Sequence, residues 1–503
     1  MSTFKRWVVL GVVSSALLLI VMDMTILYTA LPSLTHDLGA SASEKLWILN
    51  GYSLVMAGLL PAMGTLGDRL GYRFIFTGGL IVFGLASIVA AFAPSPLVLV
   101  AARVLLAVGA SMMMPATLSI IRITFSEPRE LGLALGVWGS VSAGGAGLGP
   151  IVGGLLLEHF WWGSVFLVNI PIVVLALLLT LLYIPVHPGN PDKSWDLVSS
   201  VQIMIALVTL VYAIKEITRR DGSMLLAGVS FLVGIVAMVI FIRRQLRNPH
   251  PLIDLSLFRT LRFSVGFVTA VVAAFSQLGI QYLITQRLQL VEGMTPLQAG
   301  VYTLCIPIAA LASGPVTGAI LHRYDVLRIK SITLLVAGAG TAIYLLQLQG
   351  GMLGQLLGLT LLGAGLGAAM TAASHSIMTY APAHKAGMAA SIEEVAFELG
   401  GASGIAIIGS LSGLIYTLSL QIPAGLNLPG IVKDSLDEAK LVSESLPAAA
   451  SEALTAAAHT AFNESFMVVF AGITVFLLAA SLVVDIARAR SKRSSSSNSQ
   501  QLY

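Results

Sequence analysis

Residues 64–73, Gly64-Thr-Leu-Gly-Asp68-Arg69-Leu-Gly71-Tyr-Arg73, separate two long apolar runs with three charges and three glycines. Glycine permits a tight reversal and close approach of backbones. The charges can pair across one face of a helix bundle, or they can mark an ordinary basic turn between two membrane helices. Either way the segment is a short polar loop between spans, so the fold follows from how many such spans the chain holds.

The 503 residues are 56% hydrophobic and only 10% charged, and the mean hydropathy is +0.90. That composition defines an all-α integral membrane protein partnered by the lipid bilayer. About fourteen apolar runs match the roughly 20 residues that cross a bilayer. They lie near 7–29, 46–66, 73–93, 97–120, 132–157, 162–184, 197–216, 223–242, 263–284, 297–320, 329–348, 353–376, 390–418 and 465–487. The first run is too long for a signal-peptide core and has no small-residue cleavage site after it, so it reads as a span. An even count puts both termini on one side. Most of the 28 Lys and Arg residues collect on that side, which makes it cytoplasmic. Lys215, Arg219 and Arg220 run against the bias.

Several classes of function are disfavoured. The lone Cys305 excludes an internal disulfide and a multi-cysteine zinc site. No long basic run points to nucleic acid. No nucleophile–base set, metal-ligand spacing or phosphate loop in a strand–loop–helix setting occurs, so neither an enzyme, a cofactor nor an ATP-driven pump is expected.

A weak repeat organises the chain. Pro61-x-x-Gly64 before Asp68-Arg69 matches Pro315-x-x-Gly318 before His322-Arg323, and related halves of six spans are a transporter signature. The expected layout is 6+2+6: a six-helix bundle at 1–190, an inserted pair at 191–245, a second bundle at 246–490 and a disordered cytoplasmic tail at 491–503. Within the second bundle, 421–463 forms an acidic external loop with helical pieces, either a cap over the outer mouth or a solvated connector.

Carboxylates in hydrocarbon are costly and are functional by default. Ser391–Gly401, SIEEVAFELGG, holds Glu393, Glu394 and Glu398. Glu394 and Glu398 share a helix face, with Glu393 about 100° around. Asp23 lies past the middle of the first span. Arg103, in the fourth, is either a carboxylate partner or a snorkelling residue near the outer face. Gly145, Gly149 and Gly153 form a stripe without side chains, suited to close helix packing; Pro150 favours a bend there and Gly154 follows. His375 and His384 read as interfacial residues, and Met112–Met114 as core or lipid-facing.

Taken together, these motifs resemble the fourteen-helix drug:proton antiporters of the major facilitator superfamily, of the type that exports quaternary ammonium compounds. The resemblance covers nearly the whole chain and is weakest in spans seven, eight and fourteen. It implies that Gly64, Asp68, Arg69, Gly71 and Arg73 form a conformational gate. It also implies that Gly145, Gly149, Pro150, Gly153 and Gly154 form the motif of exporters. Asp23-Met-Thr25 before Ala30-Leu31-Pro32 resembles the first-helix motif, from which Tyr28 and Thr29 depart. Asn50 stands where relatives often carry Asp, which puts divalent-cation preference in doubt, and Ala107 replaces a glycine after Arg103. Trp162, Phe166, Asn169 and Pro171 follow the family pattern as packing and interface anchors. Tyr28, Asn50 and Tyr52 become candidates for the substrate pocket. Three acids at the spacing of Glu393, Glu394 and Glu398 recur in the thirteenth helix of that group.

The implied function is export of lipophilic cationic drugs, dyes and antiseptics across the bacterial cytoplasmic membrane. Protons are the coupling ion, and the protein works as a monomer. Low dielectric favours the protonated form of an acid, so cation and proton compete for the same carboxylates. Asp23 and Glu394 are the expected coupling acids, with Glu393 and Glu398 as modulators and Arg103 as a further member of the proton-coupling set. An uptake symporter or an exporter of an endogenous metabolite is the alternative; uptake of an anion would call for a basic cavity, which Arg103 alone does not supply. A membrane-embedded enzyme or receptor would need a catalytic set or a folded cytoplasmic domain.

Overall fold

The apolar runs fold as helices, and no strand occurs among the described residues. The structure, a computed structural model, describes residues 2–500 apart from 41, 191–196, 219–221, 249–250, 252–253, 349, 383–384, 423–427 and 434–435. The chain begins with α1 (Thr3–Asp37), α2 (Ala42–Leu70), α3 (Tyr72–Ala91), α4 (Pro96–Thr124), α5 (Pro128–His159), α6 (Ser164–Leu167) and α7 (Asn169–Tyr183). α8 (Leu197–Thr218) and α9 (Met224–Arg247) follow as a pair. Next come α10 (Leu261–Leu290), α11 (Pro296–Thr303), α12 (Cys305–Ile320), α13 (Val326–Leu346), α14 (Met352–Tyr380) and α15 (Ala386–Ser419), then α16 (Leu436–Glu444) and α17 (Ala448–Gln500).

Among the described residues, twelve spans are long and apolar enough to cross a membrane. With α2 and α8, the remaining long helices, the architecture is compatible with the expected fourteen. The runs at 162–184 and 297–320 each fold as a short helix followed by a longer one, α6–α7 and α11–α12.

Local chemistry sets the helix starts. Ser95 accepts from the Val98 N–H, with Pro96 at the first helical position, where its missing donor costs nothing. Thr295 and Gln298 close a capping box behind Pro296. Asp325 accepts from the Leu327 N–H at 3.2 Å and opens α13. Between α2 and α3 the chain reverses on Gly71 at φ +93°, where a Cβ would lie 2.6 Å from the His187 carbonyl oxygen. Only glycine takes that conformation at no steric cost.

The buried side chains form two main clusters. One draws on α1–α7 together with Phe263 of α10, Ile377 and Met378 of α14, and the first turns of α15, from Ala386 to Ile392. The other draws on α10–α17 and includes Ile408 and Tyr416 of α15. α15 therefore crosses from one cluster to the other, and Glu393, Glu394 and Glu398 sit at the crossing. α8 and α9 pack on each other, and α8 lies against α2 and α15.

The first seven helices meet the later ones along α5–α12 and along α2–α15. A Cβ on Gly136 would lie 2.8 Å from the Gly314 carbonyl carbon, and one on Gly318 would lie 3.1 Å from the Leu133 Cα. On the other flank, a Cβ on Gly64 would lie 3.0 Å from the Ser391 Cβ, and one on Gly387 would lie 2.6 Å from Asp68 Oδ1. Small residues let membrane helices approach this closely. Both contacts fall near the end of the bundle where α2 meets α3, and that end is closed.

The stretch 421–463 holds α16 and the start of α17 and packs on the bundle: Val432, Leu436, Ala439, Leu454 and Ala458 are buried in the second cluster, and Tyr416 donates its hydroxyl to the Val432 carbonyl at 3.1 Å. The run of alanines and leucines from Ala448 onward extends the last membrane helix backward. The tail expected to be disordered from Ser491 instead continues α17 to Gln500, because no glycine or proline lies between 491 and 500 to stop it. Lys330, near the start of α13, is fully buried, and its Nζ donates to the Arg262 carbonyl at 3.4 Å.

One ion pair ties the approach to α10 to the start of α15. Asp254 accepts from the Ser256 N–H at 2.8 Å and pairs with Lys385, the residue before α15. Burial opposes its ionisation, but hydrogen bonds from Lys385 and Ser256 outweigh that and hold its carboxyl at about 2. A carboxyl depressed in the folded state stabilises above its unfolded value, roughly 4, and that contribution is lost as pH falls. Asp254→Asn is expected to cost on the order of 1 kcal/mol at neutral pH for this partly exposed pair. The gap to the parent should close between roughly pH 4 and about 2, as followed by thermal unfolding in detergent.

Candidate functional site

Asp23 and Arg103 form a buried ion pair between α1 and α4, with side chains 1% and 2% exposed. Snorkelling is excluded, since the guanidinium never reaches the surface. Its Nε donates to the Ile48 carbonyl of α2 at 3.4 Å, and its plane lies 4.4 Å from the Tyr52 ring centroid. Asn169, at the start of α7, donates from Nδ2 to Asp23 Oδ1 and to Ser87 Oγ of α3, each at 3.2 Å. Five helices thus converge on one carboxylate. The pairing neutralises Asp23 and supplies the hydrogen bonds that a buried ion requires.

The acids of α15 are held differently. Glu393 is fully buried and accepts a hydrogen bond from Ser374 Oγ of α14; its Oε2 has no partner among the described residues. Glu394 is 2% exposed, and its Oε1 is likewise unpartnered. The charges that act on it are Glu393 and Glu398, both of its own sign. Glu398 also interacts electrostatically with Tyr52, so the α15 acids extend toward the Asp23–Arg103 pair rather than standing apart from it. Tyr52, on the wall between them, is buried, and its hydroxyl has no partner among the described residues.

The sequence motifs support these groups from behind. Gly145 and Gly149 face α1, where a Cβ would lie 3.2 Å from Leu18 and 2.8 Å from the Thr25 Cβ. The glycine stripe therefore presses α5 against the turns that carry Asp23. Gly153 is buried, whereas Gly154 faces open space. At the closed end, Asp68 accepts from the Tyr72 hydroxyl and from the Gly387 N–H of α15 at 3.1 Å, so this carboxylate ties the end of α2 to the first turn of α15. Arg73 donates to the Ile184 and Leu181 carbonyls at 2.7 and 3.0 Å, which satisfies the end of α7. Arg69 is half-buried in the last turn of α2. A cleft here, between 67–72 and 187–190, contains none of the membrane acids.

The side chains of Tyr28, Asn50 and Pro150, and all of His384, lie outside the described residues. Sequence reasoning treated Asn169 as packing, yet it hydrogen-bonds Asp23. It passed over Ser87 and Ser374 altogether, because serine is common in membrane helices and carries no signal without its partner.

Such an arrangement, with two helical clusters meeting at a glycine-lined seam and buried carboxylates where one helix crosses it, defines a multi-pass membrane transporter. The chain belongs to the Major Facilitator Superfamily, which it matches over residues 13–405. The methyl viologen resistance protein SmvA of Salmonella typhimurium is 40% identical over 499 residues, covering 97% of this chain and 99% of that protein. The multidrug efflux pump LfrA of Mycolicibacterium smegmatis is 36% identical over 487 residues, with 96% of each chain covered. The crystal structure of the human organic anion transporter MFSD10 shares the fold at a TM-score of 0.60 and 16% identity, covering 95% of this chain and 100% of that one.

Proposed function

We propose that this protein exports lipophilic cations, including quaternary ammonium and methyl viologen-type compounds, in exchange for protons across the bacterial cytoplasmic membrane. The observation that carries the proposal is the buried acid group of α15. Glu394 is buried, its Oε1 has no partner among the described residues, and the charges of Glu393 and Glu398 that act on it have its own sign. A buried carboxylate without a counter-ion must hold a proton or meet a cation, and those are the two species an antiporter exchanges. The similarity to SmvA and LfrA, whose names record resistance and efflux, supports the same direction and class of cargo.

The basic bias of the loops supports placing both termini, and the closed α2–α3 end, in the cytoplasm. In this conformation the acids would release a cation and take up a proton from outside. Rocking of the two six-helix halves, with α8 and α9 as an inserted pair, would then expose them inward, where the proton leaves and the next cation enters. The membrane potential contributes ~2.3 kcal/mol per elementary charge per 100 mV. Asp68, Arg69 and Arg73, with Gly64 and Gly71, act as the gate, since breaking the Asp68–Gly387 bond is a step in opening that end.

Proteoliposomes loaded with a fluorescent lipophilic cation test the proposal. Counterflow should rise on imposing a pH gradient and collapse when the gradient is dissipated. Transport indifferent to the gradient would rule out antiport and favour the alternative, an exporter of an endogenous metabolite or an uptake carrier.

A further inference from the structure

The inserted pair α8–α9 carries none of the acids, yet α8 lies across a seam between the two halves, against both α2 and α15. The two contacts differ in kind. On α2, Gly58 leaves no side chain between the helices: a Cβ there would lie 3.2 Å from the Met204 Cβ and 3.3 Å from its Cα. Small residues let membrane helices lock together this closely. On α15 the contact runs through larger apolar side chains. Ile203 and Leu207 of α8, with Phe241 of α9, form a small buried cluster on which Val395 and Leu399 pack. The glycines of α15 face elsewhere, Gly400, Gly401 and Gly404 toward α10 and Gly387 toward α2.

The connections into and out of the pair are anchored on opposite lips of the closed end. Ahead of α8, the chain crosses the α2–α3 reversal. There the Asn190 N–H donates to the Asp68 carbonyl at 3.0 Å, and a Cβ on Gly189 would lie 2.6 Å from the Gly71 nitrogen. After α9, Asp254 pairs with Lys385, the residue before α15. Opening this end separates the two anchors, so the pair cannot keep its place on both halves. Val395 and Leu399 each follow an acid by one position, Glu394 and Glu398, which is about 100° around the helix. α8 therefore covers the face of α15 next to the one that carries the acids.

We infer that α8 and α9 move with the first bundle, fixed to it at Gly58 and Met204, and that α15 slides beneath α8 each time the cytoplasmic end opens. The pair acts as a sliding seal that keeps lipid from the α15 acids while the halves rock. This rests on the rocking motion of the proposed export function and adds which interface holds and which one shears. Apolar side chains without hydrogen bonds pass one another in small shear steps, whereas backbones in contact at a glycine interlock.

The test uses the full chain carrying Cys305→Ser, so that only introduced thiols react, in the proteoliposome counterflow assay. Gly58→Cys with Met204→Cys joins α8 to α2 by copper-phenanthroline oxidation. Leu207→Cys with Leu399→Cys joins α8 to α15 through a short bis-methanethiosulfonate reagent. Each pair is measured unjoined, joined, and after release with dithiothreitol. Joining α8 to α2 should leave pH-driven counterflow at the level of the unjoined protein. Joining α8 to α15 should abolish it, and reduction should restore it. The reverse pattern would assign the pair to the second half and overturn the inference. Equal effects of the two joints would overturn it as well, as would failure of the α8–α15 pair to join. Ile203→Cys with Val395→Cys repeats the second joint should Leu207→Cys misfold. A Cys305→Ser chain that shows no pH-driven counterflow before any pair is introduced would overturn the export function, and the sliding seal with it.

Discussion

Glu394→Gln is expected to reduce pH-driven counterflow in proteoliposomes to the level of empty vesicles while leaving thermal stability within about 1 kcal/mol of the parent. Glutamine matches the size of a protonated glutamate and cannot release a proton, so it holds the position permanently in the proton-loaded form. No partner is lost at Oε1, which has none among the described residues, and a charge repelled by Glu393 and Glu398 is removed. Loss of activity with a stable fold is thus the signature of a coupling acid. Counterflow surviving in Glu394→Gln would move the coupling role to Glu393 or Asp23. Glu393→Gln offers the contrast: its bond from Ser374 can be kept by an amide oxygen, so a graded loss is expected there rather than a complete one.

Why some features were legible in the sequence and others were not follows from the range of the forces involved. Spans are local: an apolar run of the right length has to fold as a helix in lipid, because every backbone group must be bonded within it. The loop at 64–73 was legible for the same reason, as was the cost of placing Glu393, Glu394, Glu398 and Asp23 in such runs. Partners across the bundle are not local. Asn169 meets Asp23 across 146 positions of sequence, and nothing in Trp162–Pro171 announces the contact. Gly136 against Gly314, and Gly64 against Ser391, set which helices close the seam, yet each glycine alone looks like generic packing. The crossing of α15 between two cores was equally hidden, since its apolar pattern is uniform along its length. Nor does the sequence announce that Lys330, a charge at the start of a span, is buried against the Arg262 carbonyl.

The Asp23–Arg103 pair should show the largest stability effect in the protein. Arg103→Met removes the guanidinium and leaves Asp23 buried with Asn169 as its remaining hydrogen-bond donor. Removing one partner of a buried pair costs about 3–5 kcal/mol, whereas replacing both by neutral groups of similar size is often neutral or stabilising. The double variant Asp23→Asn/Arg103→Met is therefore expected to recover most of the thermal stability lost in Arg103→Met. Two roles for the pair then separate. As a passive brace holding α1, α2, α4 and α7 together, it would be dispensable once the charges cancel, and the double variant would transport like the parent. As part of the coupling route, its carboxylate must be released from Arg103 during the cycle, so the double variant should fold well and remain silent in pH-driven counterflow. The second result is expected, because the Arg103 guanidinium lies over the Tyr52 ring, and the charge of Glu398 on α15 also acts on Tyr52. If the α15 acids and Asp23 act on this same group, protonation of the one should alter the hold of the other, a coupling that the neutral double variant cannot carry.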